Sequence, residues 1–344
     1  MKVTTIAVDL AKSVFEIAVS DRPGRVRERR RLPRSRFLPF FTNRKPALVL
    51  LEACGSAHHW GRRLTELGHQ VVLLPPHAIR PYVTGNKTDK TDAKGLLEAH
   101  RNEQIQPVPL KTKEQQSLTA LHRLRSAWIA ARTARINTAR GLLREFGIAI
   151  PLGAKRVVPM VIEILGQDES EIPEAIHPVI GLACEEIRRF EESIAAVEIQ
   201  LRRLGRQMPV VEKLMTIPGV GWITATALVG FVGDVWRFPT ARRFASYLGL
   251  TPRERSSGLR RRLGTISKRG DGYLRMLLTH GARSVLWQAK SKKKPDRLRS
   301  WAIELEQRRG HNKATIALAN KITRIIWAVW RSDVEFEARM PLAA

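Results

Sequence analysis

The amino-acid sequence predicts an α/β domain followed by two regions that are mainly helical, and three observations lead to this fold class. Residues 1–105 alternate short apolar runs with amphipathic segments, as in a sheet packed against helices. Residues 113–208 contain two long segments with apolar side chains at helical spacing. Residues 212–330 contain further amphipathic helices around a glycine-rich turn.

The first domain, residues 1–110, opens with a predicted hairpin. The predicted strands are Val3–Asp9, Val14–Ser20, Ala47–Glu52 and Gln70–Leu74, and the predicted helices are His58–Leu67 and one that begins near Asp92. A basic loop is expected from Arg22 to Arg36. This order, with an acid closing the first strand, suits a ribonuclease-H-like sheet. No glycine-rich phosphate loop follows a strand, so the sequence predicts no nucleotide cofactor.

The middle region, residues 111–210, is predicted to hold two long helices. Apolar residues recur at helical spacing over Lys113–Phe146. A second run keeps a strict three–four alternation through Ile180, Ala183, Ile187, Phe190, Ile194, Val197, Leu201, Leu204 and Met208. That period favours a coiled-coil seam over one core helix. The helices could fold back antiparallel or pair with another protomer, and we favour assembly into a homo-oligomer, either a dimer or a tetramer.

The third domain, residues 211–335, contains a helix-hairpin-helix pattern between Leu214 and Leu228. Gly219 and Gly221 allow a tight turn, and Val220 anchors it between two helices. Free backbone N–H groups at the start of the second helix can bind a phosphate oxygen. An ordinary helical hairpin needs one glycine, so this turn favours a module that grips nucleic-acid backbone without reading sequence.

The overall charge of the chain points to a polyanionic partner. Among its 344 residues, 60 are Lys or Arg and 32 are Asp or Glu, which gives a net charge of +28. Nucleic acid is therefore favoured over an anionic membrane surface. No apolar run approaches the roughly 20 residues of a membrane span, and the N-terminal residues lack the apolar region typical of a signal peptide. Cys54 and Cys184 lie in apolar contexts typical of reduced thiols in a cytoplasmic protein.

Four carboxylates occupy positions that suit a metal site. Asp9 and Glu52 end predicted strands, and Asp89 and Asp92 lie three residues apart at the start of a predicted helix. Acids at strand ends and a pair on one helical face can converge on one point. Mg²⁺ or Mn²⁺ prefers such oxygen ligands, with phosphate completing the site. Each acid taken alone is more typical of a turn or a helix cap, but the set favours a metal site.

The segment from Arg253 to Arg269 is a basic loop that carries two adjacent serines, Ser256 and Ser257. Its seven basic residues are Arg253, Arg255, Arg260, Arg261, Arg262, Lys268 and Arg269, against the single acid Glu254. A serine hydroxyl activated by a base or a metal could attack a phosphodiester while guanidinium groups stabilise the charge. Serine is common in loops, so the pattern by itself indicates this chemistry only weakly.

Over nearly its whole length the chain resembles the DEDD-type insertion-sequence transposases, relatives of the Piv-type DNA invertases that are described as bridge-RNA-guided serine recombinases. The motifs that carry the resemblance are Asp9, Glu52, Asp89-x-x-Asp92, Ile217-Pro-Gly-Val-Gly, Tyr247-Leu-Gly-Leu-x-Pro, Ser257-Gly258, Ser267-Lys268-x-Gly270 and Leu274-Arg275. One departure is Leu259-Arg260-Arg261, where many members of the family follow the serine with Gly and Lys.

The resemblance implies a RuvC-like first domain whose four carboxylates bind Mg²⁺. It also implies that a serine of the third domain joins covalently to DNA, and this pattern falls on Ser257, with Ser256 as the alternative. The implied partners are double-stranded donor and target DNA and a guide (bridge) RNA, in a bacterial-type cytoplasm at the nucleoid.

Two other hypotheses use fewer of these features. The first is a Holliday-junction-type nuclease, in which the same carboxylates act on metal-activated water and Ser257 is not needed. The second is a non-enzymatic nucleic-acid scaffold built on the basic surface, the helix-hairpin-helix and the coiled coil.

Overall fold

The computed structural model describes residues 4–22, 24–83, 89–167, 171–258, 260–291 and 294–338. The chain divides into two compact units, Met1–Thr112 and Lys113–Ala344. The first unit contains a five-stranded sheet with helices on both faces, and the second is almost entirely helical. The predicted combination of an α/β sheet with a larger helical part is therefore confirmed.

The sheet of the first unit has the strand order β3-β2-β1-β4-β5. The strands are β1 (Thr5–Asp9), β2 (Val14–Ser20), β3 (Glu28–Pro33), β4 (Leu48–Glu52) and β5 (Gln70–Leu74), and the helices are α1 (Phe37–Thr42), α2 (Ala57–Glu66), α3 (Pro76–Ile79) and α4 (Asp89–His100). β2 pairs antiparallel with β1 and β3, whereas β4 pairs parallel with β1 and β5. Val3, the first residue of the predicted first strand, lies outside the described residues.

Alternate residues of the central strands divide the core of this unit into two layers. Val8 and Leu51 point to the face that is covered by aromatic side chains of α1 and α2. Ala7 and Leu50 point to the opposite face, where they pack with Leu96 of α4. Because successive strand residues face opposite sides, this alternation decides which face each strand-end residue occupies.

The predicted loop from Arg22 to Arg36 was wrong, since it contains β3 at the edge of the sheet. Most β3 side chains are exposed, so the strand shows no alternation of apolar and polar residues. Its Glu28 carboxylate accepts hydrogen bonds from the guanidinium groups of Arg30 and Arg44. Pairing with β2, rather than burial of apolar side chains, makes this segment a strand.

The second unit is built on two long helices. Its elements are α5 (Lys113–Glu145), α6 (Ala154–Leu165), α7 (His177–Arg206), α8 (Pro209–Met215), α9 (Trp222–Val232), α10 (Ala241–Tyr247), β6 (Pro252–Glu254), β7 (Leu263–Ile266), α11 (Gly272–Ser291), α12 (Arg297–Arg309) and α13 (His311–Ser332). Among the helices of the described residues, none is both long enough and apolar enough to cross a membrane.

Helices α5 and α7 pack against each other within one chain. The ion pairs between them are Arg125–Glu198, Arg132–Glu191 and Arg135–Glu186. Residue numbers rise along α5 as they fall along α7, so the helices are antiparallel. Ile187 in the predicted seam is fully buried among side chains of α5 and α6. We had favoured an interface between protomers for this seam, and that preference was wrong. The apolar seam of α7 packs against α5 of the same chain.

A buried histidine joins α5, α9 and α11. His122 Nε2 lies 3.0 Å from Thr226 Oγ1, and His122 Nδ1 lies 3.0 Å from the Tyr273 hydroxyl. The Thr226 hydroxyl donates to the carbonyl of Trp222, so it accepts from His122 and assigns the ring proton to Nε2. Burial and the nearby Arg125 charge lower the pKa of His122 from 6.5 to about 4, which keeps the imidazole neutral.

We expect the free energy of unfolding to fall as the pH drops from 6.5 to about 4. The folded-state pKa lies below that of the unfolded chain, so in this window only the unfolded state binds the proton. Below this window, proton binding by unfolded His122 has lowered the free energy of unfolding by its full amount, at most about 3 kcal/mol. Urea unfolding across this range should show a weaker pH dependence for His122→Gln, and the exposed control His280→Gln should keep the wild-type dependence. Equal pH dependence in all three proteins would contradict this role.

The seam of α7 offers a second test. Ile187→Ala should lower the free energy of unfolding by about 2–5 kcal/mol, because it leaves a cavity at a fully buried position. Ile199, on the same helix, is 65% exposed, so Ile199→Ala should change stability little. Circular dichroism during urea unfolding measures both effects. Light scattering should show unchanged mass for both variants, and a drop in mass for Ile187→Ala would return the seam to an interface between protomers.

Candidate active site

Two acids lie next to each other at the carboxyl ends of two neighbouring strands in the sheet of the first unit. β1 and β4 are parallel neighbours in which Val8 pairs with Leu51, so Asp9 and Glu52 follow at adjacent strand ends. Neighbouring strands lie about 4.8 Å apart, which brings the two backbone positions close together. Both side chains are half-buried. The predicted placement of acids at the carboxyl ends of these strands is what the structure shows.

Helix α4 covers the sheet face to which both acids point. Asp9 lies two residues after Ala7, and Glu52 lies two residues after Leu50, so each shares a face with a residue that packs against α4. Asp92 lies one helical turn before the buried Leu96 and is half-buried. The acids of β1 and β4 and the packed face of α4 therefore occupy the same side of the sheet.

The predicted fourth acid, Asp89, is the first residue of α4, but its side chain lies outside the described residues. Among the side chains that are described, no three of His, Cys, Asp and Glu form a metal-binding group. The structure thus places Asp9 and Glu52 together and Asp92 on the matching helix face, and it does not show an assembled set of four ligands. A carboxylate donor set of this kind fits a hard divalent cation such as Mg²⁺.

The basic loop of the second unit is a β-hairpin formed by β6 and β7, with the serines near its tip. The Ser256 hydroxyl donates a hydrogen bond to Glu254 Oε1 at 2.8 Å and accepts one from the backbone N–H of Arg262 at 3.2 Å. The hydrogen bond from Ser256 and the charge of Arg261 lower the pKa of Glu254. A carboxylate with a lowered pKa is a weak base, so Glu254 braces Ser256 rather than activating it.

Ser257 has a different environment from its neighbour. Its side chain is exposed and makes no hydrogen bond to another described residue. Its carbonyl accepts from the backbone N–H of Arg260 at 3.2 Å, which fixes the main chain and leaves the hydroxyl available. Gly258 follows with a positive φ of 57°. Leu259, part of the departure from the family pattern, lies outside the described residues.

Sequence reasoning did not assign a role to Glu254, although a signal was present. Glu254 is the single acid of this basic segment and lies two residues before Ser256, near enough along the chain for a local side-chain hydrogen bond. The seven predicted basic residues of this segment are all exposed. Glu254 neutralises part of the Arg261 charge through an ion pair of 3.3 Å, so the surface around Ser257 stays strongly positive.

The glycine-rich turn between α8 and α9 has a packing role. Ile217 and Val220 are buried on either side of Gly219. Gly219 has a φ of 80°, and a Cβ there would lie 2.7 Å from the carbonyl oxygen of Gly281 in α11. The close approach of two helical segments therefore requires this glycine. Gly221 is exposed at the start of α9, where no side chain caps the helix.

Comparison with protein families assigns both units. A family model described as "Transposase IS116/IS110/IS902 family" matches residues 211–297. A second model, of the DEDD-type IS110 transposases and described as "Transposase", matches residues 6–148. The first match spans the serine hairpin and the glycine-rich turn, and the second spans all four predicted carboxylates. The DEDD-type match indicates use of a divalent metal ion.

Similar proteins extend over nearly the whole chain. A protein of Pseudomonas aeruginosa described as a probable family 20 transposase is 41% identical over 330 residues, 96% of this chain and 97% of that protein. The transposase for insertion sequence element IS1111A of Coxiella burnetii is 37% identical over 324 residues, 94% of this chain and 88% of that protein. A pilin gene-inverting protein of Moraxella lacunata is 29% identical over 160 residues, 45% of this chain and 48% of that protein.

High identity over almost the full length, together with family models on both units, leads to one assignment. The chain belongs to the IS110/IS116 family of insertion-sequence transposases, enzymes that transfer and recombine DNA strands.

Proposed function

We propose that this transposase cuts and rejoins DNA through a covalent phosphoserine formed on Ser257. The observation that carries the proposal is the contrast between the two adjacent serines. The hydroxyl of Ser256 is engaged by Glu254 and by the backbone of Arg262. The hydroxyl of Ser257 is exposed among arginines and has no hydrogen bond within the described residues.

In the proposed step, Ser257 Oγ forms a bond to the phosphorus of the scissile phosphodiester. The bond from phosphorus to one deoxyribose oxygen breaks, the serine hydroxyl loses its proton, and the leaving oxygen gains one. Attack by a deoxyribose hydroxyl on the phosphoserine reverses these changes and restores the serine. One phosphoester bond replaces another at each stage, so strand exchange needs no ATP. Exposed guanidinium groups such as that of Arg260 stabilise the charge on the phosphate oxygens.

Asp9, Glu52, Asp89 and Asp92 are the residues we propose to hold Mg²⁺ or Mn²⁺. The placement of Asp9 and Glu52 at one sheet edge and the oxygen-only donor set support this role. A divalent ion bound there supplies Lewis acidity, which stabilises negative charge on phosphate oxygens and favours a deprotonated nucleophile. The sheet has two antiparallel and two parallel strand pairs, and its β1 ends in an acid. This arrangement is consistent with a RuvC-like sheet.

We infer that double-stranded donor and target DNA bind the basic surface, and that the turn at Gly219–Gly221 serves as a helix-hairpin-helix that contacts the DNA backbone through the start of α9. A guide (bridge) RNA is proposed from the resemblance of the motifs, and the net charge of +28 supports polyanion binding. We also propose that the protein forms a homo-oligomer through surfaces other than the α7 seam. This oligomer acts at the nucleoid in the cytoplasm.

Ser257→Ala should eliminate the covalent protein–DNA adduct, whereas Ser256→Ala should retain it at reduced yield because the hairpin loses its brace. Both variants should still bind DNA, since binding depends on exposed basic side chains. Denaturing electrophoresis of labelled DNA measures the adduct, and mass spectrometry of the peptide from Arg255 to Arg260 locates it. A phosphonucleotide on Ser256 would show that Ser256, and not Ser257, is the nucleophile. Cleavage without any adduct would favour a nuclease that uses activated water.

Asp9→Asn and Asp92→Asn should each abolish strand cleavage while leaving the Kd for DNA nearly unchanged. Asparagine keeps the size of the side chain but removes the charge that a divalent cation requires. The matched control is Glu103→Gln, which neutralises an exposed acid of the same unit and should cleave at the wild-type rate. Wild-type cleavage by either aspartate variant would remove that residue from the metal site.

A further inference from the structure

A large groove lies next to the serine hairpin in the second unit. Its volume is about 1320 Å³, and α13, α12 and the β6–β7 hairpin supply most of its lining. Small-molecule pockets usually measure about 300–1,000 Å³, so this groove is large enough for a segment of polymer. Its apolar wall includes Trp301, Ile316 and Ile325. No step in the proposed mechanism uses this surface.

The rim of the groove carries positive charge that no acid of the described residues neutralises. Its lining includes Lys268, Lys313, Lys321 and Arg324, and no Asp or Glu is among the lining residues. Within the described parts of the chain, none of these four side chains forms an ion pair. Burial, together with the charges of Arg297 and Arg324, lowers the pKa of Lys321. Like charges held this close favour an anionic occupant.

An aromatic ring and a cation stand together in this groove. The Lys321 ammonium lies 4.0 Å from the centroid of the Trp301 ring. Along α13, Lys313, Ala317, Lys321, Arg324 and Ala328 recur at spacings of three and four residues, so they form one continuous stripe beside the groove. Three cations on this stripe, next to apolar and aromatic surface, match a strand that has a charged backbone and planar bases.

Duplex DNA does not match this chemistry. A duplex presents phosphates outward and keeps its base faces stacked, so it offers nothing to the apolar wall. A strand with unstacked bases presents both phosphates and π faces, which suit cations and tryptophan respectively. The occupant that fits the groove is therefore a single-stranded nucleic acid.

The groove also connects to the hairpin that holds Ser257. Pro252 and Ile266 of β6 and β7 line it. A neighbouring cavity of about 560 Å³ shares Pro252 and Arg324 with the groove and extends to Glu254 and Arg261. We propose that the groove binds unstacked nucleotides of the DNA strand that Ser257 cleaves, beside the scissile phosphate. The identity of that strand rests on the proposed phosphoserine function, whereas the binding site itself does not.

The test measures equilibrium binding by the full-length protein that carries Ser257→Ala, without divalent cations, so that no covalent reaction contributes. Fluorescence anisotropy gives the Kd for a labelled oligothymidylate and for a labelled duplex. Trp301→Ala should weaken single-strand binding about five- to hundredfold through loss of base stacking and leave duplex binding unchanged. The control Trp287→Ala removes a tryptophan that is 74% exposed on α11 and should change neither Kd.

A second variant guards against loss of packing at Trp301. Ala328 is exposed in the groove lining, so Ala328→Glu adds a negative charge without a change in the core and should also weaken single-strand binding selectively. Ala196→Glu places the same charge on an exposed position of α7 and is the matched control. Phenylalanine at position 301 keeps a stacking ring, so Trp301→Phe should retain most of the single-strand affinity.

Three results would overturn the proposal. Equal loss of single-strand and duplex binding would make the groove a surface for duplex backbone. A stronger dependence on Trp301 with an RNA oligonucleotide would assign it to RNA. Unchanged binding in both groove variants would exclude nucleic acid from it. The phosphoserine is tested separately by the adduct on Ser257, so its absence would refute that mechanism and leave a positive binding result in place.

Discussion

Two backbone segments meet at the base of the β6–β7 hairpin at a separation that leaves no room for a side chain. A Cβ at Gly249 would lie 2.0 Å from the carbonyl oxygen of Arg269, and one at Gly270 would lie 2.0 Å from that of Tyr247. Both glycines have positive φ values. The position of Ser257 and one wall of the groove depend on this contact, because it fixes where the hairpin leaves the helical body.

The base of the hairpin is closely packed, whereas near its tip the Ser256 side chain is hydrogen-bonded and that of Ser257 is exposed. The Ser256 hydroxyl accepts a hydrogen bond from the backbone N–H of Arg262 across the hairpin and donates one to Glu254, which remains an anion because its pKa is lowered. Only one acid serves seven basic side chains here, so the surface keeps the positive charge that a phosphodiester requires. In the proposed phosphoserine step, Ser257 therefore meets a phosphate without first breaking a hydrogen bond to another described residue.

The helical body that supports the hairpin is stabilised by contacts between distant parts of the chain. The antiparallel pairing of α5 with α7 buries Ile187, and His122 connects α5 to α9 and α11 through two neutral hydrogen bonds. The turn at Gly219 approaches Gly281 of α11 so closely that packing alone requires a glycine at position 219. That constraint is compatible with the proposed contact between Gly221 and the DNA backbone, since Gly219 is packed against α11 and Gly221 is exposed.

The sequence by itself determined four of the five strands of the sheet and the positions of Asp9 and Glu52 at strand ends, because periodicity and strand-end acids are local properties. Only the tertiary structure decided that Arg22–Arg36 contains a strand, that the α7 seam pairs within the chain, and that Ser256 and Ser257 differ. The groove beside the hairpin was likewise not visible in the sequence. Each of these depends on contacts between residues far apart in the chain, and local spacing does not record such contacts.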